Sequence, residues 1–425
     1  MNRIQRQLTK SFYVLLSLPA TAMGFALSIQ ISALSWLLTT KYNLHIDEVG
    51  FVWAAGPLAG IFGQVIIGLI SDKVWFWGGR RRPFVLIGGV LAAGMLIALP
   101  NIDVIAASLG IRSLLVVAIV IALTLDLAIN ISFNPTRSII ADVTPEGSTR
   151  TKGYTWMQTI SGFFGVLAYL IGATAGNYVL IYTGVVLVFL FSFVPMFFIT
   201  EDRQLKAPVK SEAHPSGETT ATEWGQLFRI YIAHGFSWIG IQTMFVYIIA
   251  FIQQKYFNGV TDQNIINAQS GQIIAIAFAI LNTIGFILPA FVLEPIVEKI
   301  GRVKTHLSCV AVMSLAYFGI VFLGSTPSIL YLLMAVAGIG WAAVVSLPFA
   351  VMTEKIDQRR TGFFMGIFNL SVVLPQLLVS LAVGTIVLNT GDKSIIFTIS
   401  GISLALSAIL WTLVKEKRIK GENHI

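Results

Sequence analysis

Twelve stretches of the chain, separated by short charged or turn-rich breaks, are apolar over about the length that a bilayer-crossing helix needs, roughly 20 residues. The first six run over 12–39, 48–70, 83–100, 112–141, 153–175 and 178–199. The second six run over 226–256, 268–292, 306–324, 327–353, 362–388 and 393–414. Of 425 residues, 56% are hydrophobic and 11% charged, against roughly 25% charged in an average soluble domain. So few charges cannot cover a water-facing surface, which excludes a soluble enzyme and a disordered regulator. The net charge of +8 suggests nucleic acid only until the charges are mapped. They sit in the short loops between apolar runs, which is the membrane pattern. The chain therefore reads as an all-α integral membrane protein of 12 transmembrane helices, with the lipid bilayer and not nucleic acid around it.

Residues 201–224, EDRQLKAPVKSEAHPSGETTATEW, form the only long polar stretch. This predicts an N-terminal six-helix half (1–199), a linker (200–224) and a C-terminal six-helix half (225–425). With the N-terminus inside, 23 of the 28 Lys and Arg residues fall on the cytoplasmic side. Lys41, Arg112, Lys255 and Lys393 fall outside, and Arg137 within a span. That bias predicts a multi-pass plasma-membrane protein with both termini cytoplasmic and the linker inside. The opening MNRIQRQLTK leads into an apolar run too long for a signal peptide, so it reads as a retained first helix.

The two halves repeat each other. Asp72 and Gly79-Arg80-Arg81-Arg82 follow the second run, and Glu298-Lys299-Ile300-Gly301-Arg302 follow the eighth. Pro135 precedes Asp142 in the fourth run as Pro348 precedes Glu354 in the tenth. Two like-oriented six-helix halves are the layout of a rocker-switch transporter with its site between them. Asp72 with Arg80 and Arg81, and Glu298 with Arg302, are expected to form a charge network that breaks as the halves rock.

The fourth run carries Asp126 almost at its middle, the one acidic residue well inside any span. An ionised Asp there costs on the order of 3 kcal/mol, and a protonated one much less. Such a group couples proton uptake to hydration, as a proton carrier must; a structural hydrogen bond from a protonated Asp126 is the plainer alternative. Asn130 and Arg137, at i+4 and i+11, share its helical face. Arg137 is roughly 16 Å along the axis, too far to pair directly. Gln30, Gln158 and Asn369 are further polar residues inside spans, and Trp238 offers an aromatic face. A sugar site wants amides and aromatic surfaces of this kind.

GPLAGIFGQVIIGLISD (56–72) followed by GGRRRPF (78–84) resembles the second-helix and loop signature of the plant sucrose transporters and their relatives. These belong to the glycoside-pentoside-hexuronide:cation symporters within the major facilitator superfamily. LDLAINISFNPTRSIIADV (125–143) resembles that family's fourth helix without a gap. Gly24-Phe25-Ala26-Leu27 and Ser346-Leu347-Pro348-Phe349-Ala350 resemble two further segments. The resemblance implies the major facilitator fold and sugar transport. It places Asp126 on an aspartate implicated in proton coupling, and Asn130 and Arg137 on residues of a sugar-binding helix. Ile129 departs from the plant asparagine, and Gln253-Gln254-Lys255-Tyr256-Phe257 from a plant Asp-rich segment, which suits a bacterial member.

The expected function is proton-coupled import of a disaccharide or other glucoside of the sucrose or maltose type. A sodium-coupled or uncoupled carrier and a non-transporting sugar sensor are the alternatives. No cofactor is expected beyond the coupling ion, a proton. With Cys309 alone and no His/Cys cluster, neither an intramolecular disulfide nor a metal site is expected. A monomer suffices for this activity.

Overall fold

The computed structural model describes residues 8–60, 70, 74–144, 148–201, 222–288, 292–356 and 361–416. Among these, ten helices are long and apolar enough to cross a membrane, and Ile395–Trp411 is a shorter apolar helix. In chain order the elements are α1 (Lys10–Thr40), α2 (Ile46–Trp53), α3 (Arg82–Ser108), α4 (Leu114–Val143), α5 (Ser148–Ala175) and α6 (Asn177–Phe193). There follow α7 (Trp224–Tyr256), α8 (Gln263–Leu288), α9 (Arg302–Leu323), α10 (Pro327–Thr353), α11 (Thr361–Leu378) and α12 (Ile395–Trp411). Each apolar run of the sequence thus has a helix at its place. The second is described only to residue 60, and its remainder through 69 lies outside the described residues.

Local chemistry sets the helix ends. The Thr9 hydroxyl accepts the N–H of Phe12 at 3.3 Å, capping α1. Ser113 does the same for Val116 at 3.4 Å at the start of α4. Gly176, at φ +90°, parts α5 from α6 in a conformation that a side chain would strain. α1 is interrupted by a π turn over Gln30–Leu34, and α11 by another over Val379–Val383 before it continues as Gly384–Asn389. Such turns leave the regular i→i−4 ladder and mark functional positions.

By its contacts the chain forms two compact units. The first comprises Met1–His214, Phe245–Ala279 and Leu377–Lys393; the second comprises Pro215–Met244, Ile280–Gln376 and Ser394–Ile425. Most of the predicted linker, 202–221, lies outside the described residues.

In a bilayer, helices associate through small residues and interhelical hydrogen bonds, because lipid is as apolar as Leu. In the first unit α1 packs on α5 and α6, and α3 on α4 and α6. Gly88 lets α3 approach Ser132 of α4, and Gly89 lets it approach Ser192 of α6. In the second unit α9 packs on α10 and α12. Gly340 faces Met313 there, and the Ser314 hydroxyl donates to the Gly401 carbonyl at 2.7 Å. Ser237 and Ser407 hydroxyls meet at 2.7 Å between α7 and α12.

Candidate functional site

Three of the polar residues singled out in the sequence come together in the first unit. Asp126 is 5% exposed, and the Gln30 side-chain amide donates to its carboxylate at 3.0 Å. Gln30 is the first residue of the π turn in α1, so this turn presents the amide to α4. The Asn130 amide donates to the backbone carbonyl of Asp126 at 2.7 Å, one turn along α4. Gly56 completes the cluster. A Cβ there would stand 3.3 Å from one Asp126 carboxylate oxygen and 3.4 Å from the other, so the carboxyl rests against bare backbone. No cation pairs with Asp126 among the described residues. A buried carboxyl with an amide donor and no counter-charge holds negative charge at high cost; a proton or a bound cation must meet it.

In the sequence Gly56 is one residue of a motif, and its place against the carboxyl shows only in the fold. Arg137 is exposed farther along α4, its guanidinium 4.2 Å above the Phe133 ring, and Tyr154 donates to its backbone carbonyl at 3.2 Å. Gln158 is exposed on α5. Neither joins the Asp126 cluster.

Trp238 and Asn369 lie in the second unit, both half-buried. Trp238 donates its indole N–H to His234 Nε2 at 3.0 Å and stands edge-on to Trp341 at 6.1 Å. His234 stacks on Phe368 at 4.9 Å, and Trp341 donates to the Asn282 side-chain carbonyl at 3.2 Å. This gives the unit a cluster of aromatic and amide groups that holds no carboxylate among the described residues. His234 was missed in the sequence, although a histidine within an apolar run is the signal that finds it.

The arginine-rich ends of the two units carry matching charge networks. In the first, Glu201 accepts three successive backbone N–H groups at the start of α3: Arg80 at 2.8 Å, Arg81 at 2.9 Å and Arg82 at 2.8 Å. A carboxylate at a helix N-terminus meets both unpaired donors and the positive end of the dipole. The Arg80 guanidinium pairs with Asp142 at 2.8 Å, and that of Arg81 reaches the same oxygen at 3.4 Å. In the second unit Glu416 accepts from Arg302 N–H at 2.8 Å and Val303 N–H at 3.3 Å, at the start of α9. The Arg302 guanidinium pairs with Glu354. Glycine precedes each helix because the carboxylate occupies the space of a side chain: a Cβ on Gly79 would lie 2.6 Å from Glu201, and one on Gly301 would collide with Glu416.

The sequence named Asp72 and Glu298 as the acids of these networks. Asp72 lies outside the described residues, and Glu298 is exposed on the short helix Glu294–Ile300. Arg80, Arg81 and Arg302 do sit in ion pairs, with Asp142 and Glu354 as their described acidic side-chain partners. Glu201 and Glu416 are missed by the sequence reading; they are the first acids after α6 and after α12, 215 positions apart.

The sequence profile of the Major Facilitator Superfamily matches residues 16–380. The sucrose transport protein SUC4 of Arabidopsis thaliana is 24% identical over 444 residues, covering 87% of this chain and 83% of that protein. A general alpha-glucoside permease of Schizosaccharomyces pombe is 30% identical over 174 residues, 37% of this chain and 31% of its own. Among solved structures, the nucleoside transporter NupG superposes with a TM-score of 0.71. It is 12% identical, with 96% of this chain and 100% of that one covered, a likeness of fold.

Proposed function

The chain belongs to the Major Facilitator Superfamily, and on that premise we propose that it is a proton-coupled symporter importing a disaccharide or other glucoside of the sucrose or maltose type. Like its relatives and structural neighbours it is a carrier and not an enzyme. The sucrose and alpha-glucoside names of those relatives support the substrate class.

The observation that supports the coupling is Asp126, buried at mid-helix with the Gln30 amide as the one side-chain donor to its carboxyl among the described residues. In the proposed cycle Asp126 takes a proton from outside, sugar binds the protonated form more tightly, and the loaded carrier turns inward. Release of the proton to the cytoplasm lets the empty carrier return. Coupling of this kind is a linkage between two ligands, so the proton and the sugar must each favour the other's binding. Gln30 is suited to relay it, because an amide that holds the carboxyl in one state is free to turn to a sugar hydroxyl in the other. Asn130 holds its own helix turn beside them, and Arg137, Gln158, Trp238 and Asn369 are the proposed further sugar contacts. The glutamate-capped arginine networks, with Asp72 and Glu298 nearby in sequence, are the proposed cytoplasmic latch of each half. In this reading the protein lies in the plasma membrane with both termini and the linker cytoplasmic, and works as a monomer.

The test is uptake into proteoliposomes with an inward proton gradient, using sucrose, maltose and glucose with and without a protonophore. Protonophore-sensitive accumulation of a disaccharide is expected, and Asp126→Asn should abolish accumulation while sparing downhill exchange. Equilibration without accumulation, or accumulation driven by sodium alone, contradicts proton coupling. Absence of flux for all three sugars contradicts the substrate class.

A further inference from the structure

At the end of the first unit that the proposed orientation places outside, a cavity of about 590 Å³ opens between the end of α1, the α5–α6 corner and the start of α8. It shares no residue with the Asp126 cluster. A cavity of this size falls in the range of small-molecule sites. Its walls carry the amides of Asn177, Asn264, Gln269 and Gln272, with the rings of Trp36 and Tyr178 set edge to face at 5.5 Å. Among the described residues no carboxylate lines it, and the one charged group in its walls, Lys41, already donates to the Pro100 carbonyl and to Asp103.

One wall residue points to a missing partner. Asn177 is 4% exposed, yet neither its amide nitrogen nor its oxygen has a hydrogen-bond partner. Buried amides are rarely left so, and each such case asks for a ligand or water. Two cavity-lining glycines flank it: a Cβ on Gly271 would lie 2.7 Å from its nitrogen, and one on Gly172 would lie 3.2 Å from its oxygen. Bare backbone therefore leaves this amide unscreened on both sides. Several amides beside aromatic rings, with the lining lysine already engaged, suit a neutral polyhydroxyl ring and neither an anion nor an acyl chain.

We propose that this cavity is a second, external binding site for a neutral glycoside, and that its occupant holds α8 against α1 and α5. The walls are already tied there. Trp36 donates to the Asn267 carbonyl at 2.5 Å, and Gln272 donates to the Ala173 carbonyl at 3.0 Å. In the proposed carrier, α8 belongs to one half and α1 and α5 to the other, so a ligand bridging them opposes outward opening. Sugar at high external concentration then inhibits its own import. The inhibitory step rests on the transport reading; the binding step does not.

The test has two arms, each comparing the wild type with Ala268→Trp, which fills the cavity from an exposed wall position, and with Gln269→Ala, which removes one amide. Equilibrium binding of radiolabelled sucrose to the purified protein should lose one of two equivalents in Ala268→Trp and weaken for one in Gln269→Ala. Equal binding by wild type and both variants overturns the site. In proteoliposomes, wild-type uptake should rise and then fall as external sucrose increases, while Ala268→Trp should keep the low-concentration rate and lose the fall. Uptake that saturates identically in both overturns the regulatory role. Absence of uptake together with a lost binding equivalent in Ala268→Trp would contradict the transport reading and leave the site standing.

Discussion

The fourth and tenth helices are counterparts by sequence, yet they spend the same position on different things. The spacing that carries Asp142 onto Glu354 carries Asp126 onto Gly338. In α4 that position bears a buried carboxyl with Gln30 on it. In α10 it bears no side chain, and a Cβ there would stand 2.6 Å from Ile284 and 3.1 Å from the Leu281 carbonyl of α8. At the arginine-rich ends, by contrast, the two halves agree group for group: a glycine, an arginine on an acid, and a glutamate over the helix N-terminus. In the proposed carrier the capped arginine networks recur because both ends move alike, whereas the buried carboxyl does not, because a single titrating carboxyl would suffice to couple one ion to one sugar.

The most damaging way to break this contrast is to make α10 like α4. Gly338→Asp forces a side chain into a closed helix contact, about 1–3 kcal/mol from overpacking, and adds on the order of 3 kcal/mol for a charge at that depth. Thermal melting in detergent should show loss of the folded form, whereas Asp126→Asn should melt like the wild type. A smaller effect is expected from Gly56→Val. Its branches would displace the Asp126 carboxyl, at a cost of about 1–3 kcal/mol, and sugar accumulation should fall on the order of tenfold or more, each factor of ten corresponding to about 1.4 kcal/mol. Unchanged accumulation would mean that the carboxyl does not need its place against Gly56. The smallest effects sharpen the likeness of the ends. Glu201→Gln weakens bonds to three backbone N–H groups and Glu416→Gln bonds to two. Losing such charge-assisted bonds costs about 1–3 kcal/mol. The melting temperature should therefore drop more for Glu201→Gln than for Glu416→Gln, and the reverse order would contradict the reading of these caps.

Run length and charge depth made much of this legible beforehand. Apolar runs fix helices because a bilayer leaves the backbone no other way to satisfy its hydrogen bonds, and ten described helices of spanning length lie at expected spans. Asp126 announced itself as a charge in a span. What the sequence hid is who meets whom. Gln30 is a sugar-ligand candidate by sequence, and its bond to Asp126, 96 positions away, becomes visible only in the fold. Glu201 lies 119 to 121 positions from the three N–H groups it accepts. Neither pairing leaves a periodic trace, because both arise where separate helices converge. Gly56 and Gly301 were similarly silent, since a glycine that makes room for a carboxylate looks like any other until the carboxylate is placed.

In the proposed cycle Asp126 carries the proton that moves with the sugar. The direct measurement is sugar-driven proton entry, read with a pH-sensitive dye trapped in proteoliposomes that have no imposed gradient. With wild-type protein, adding the transported disaccharide outside should acidify the interior. With Asp126→Asn, the sugar should still enter and exchange without any acidification. Acidification by Asp126→Asn equal to that of the wild type would contradict the account.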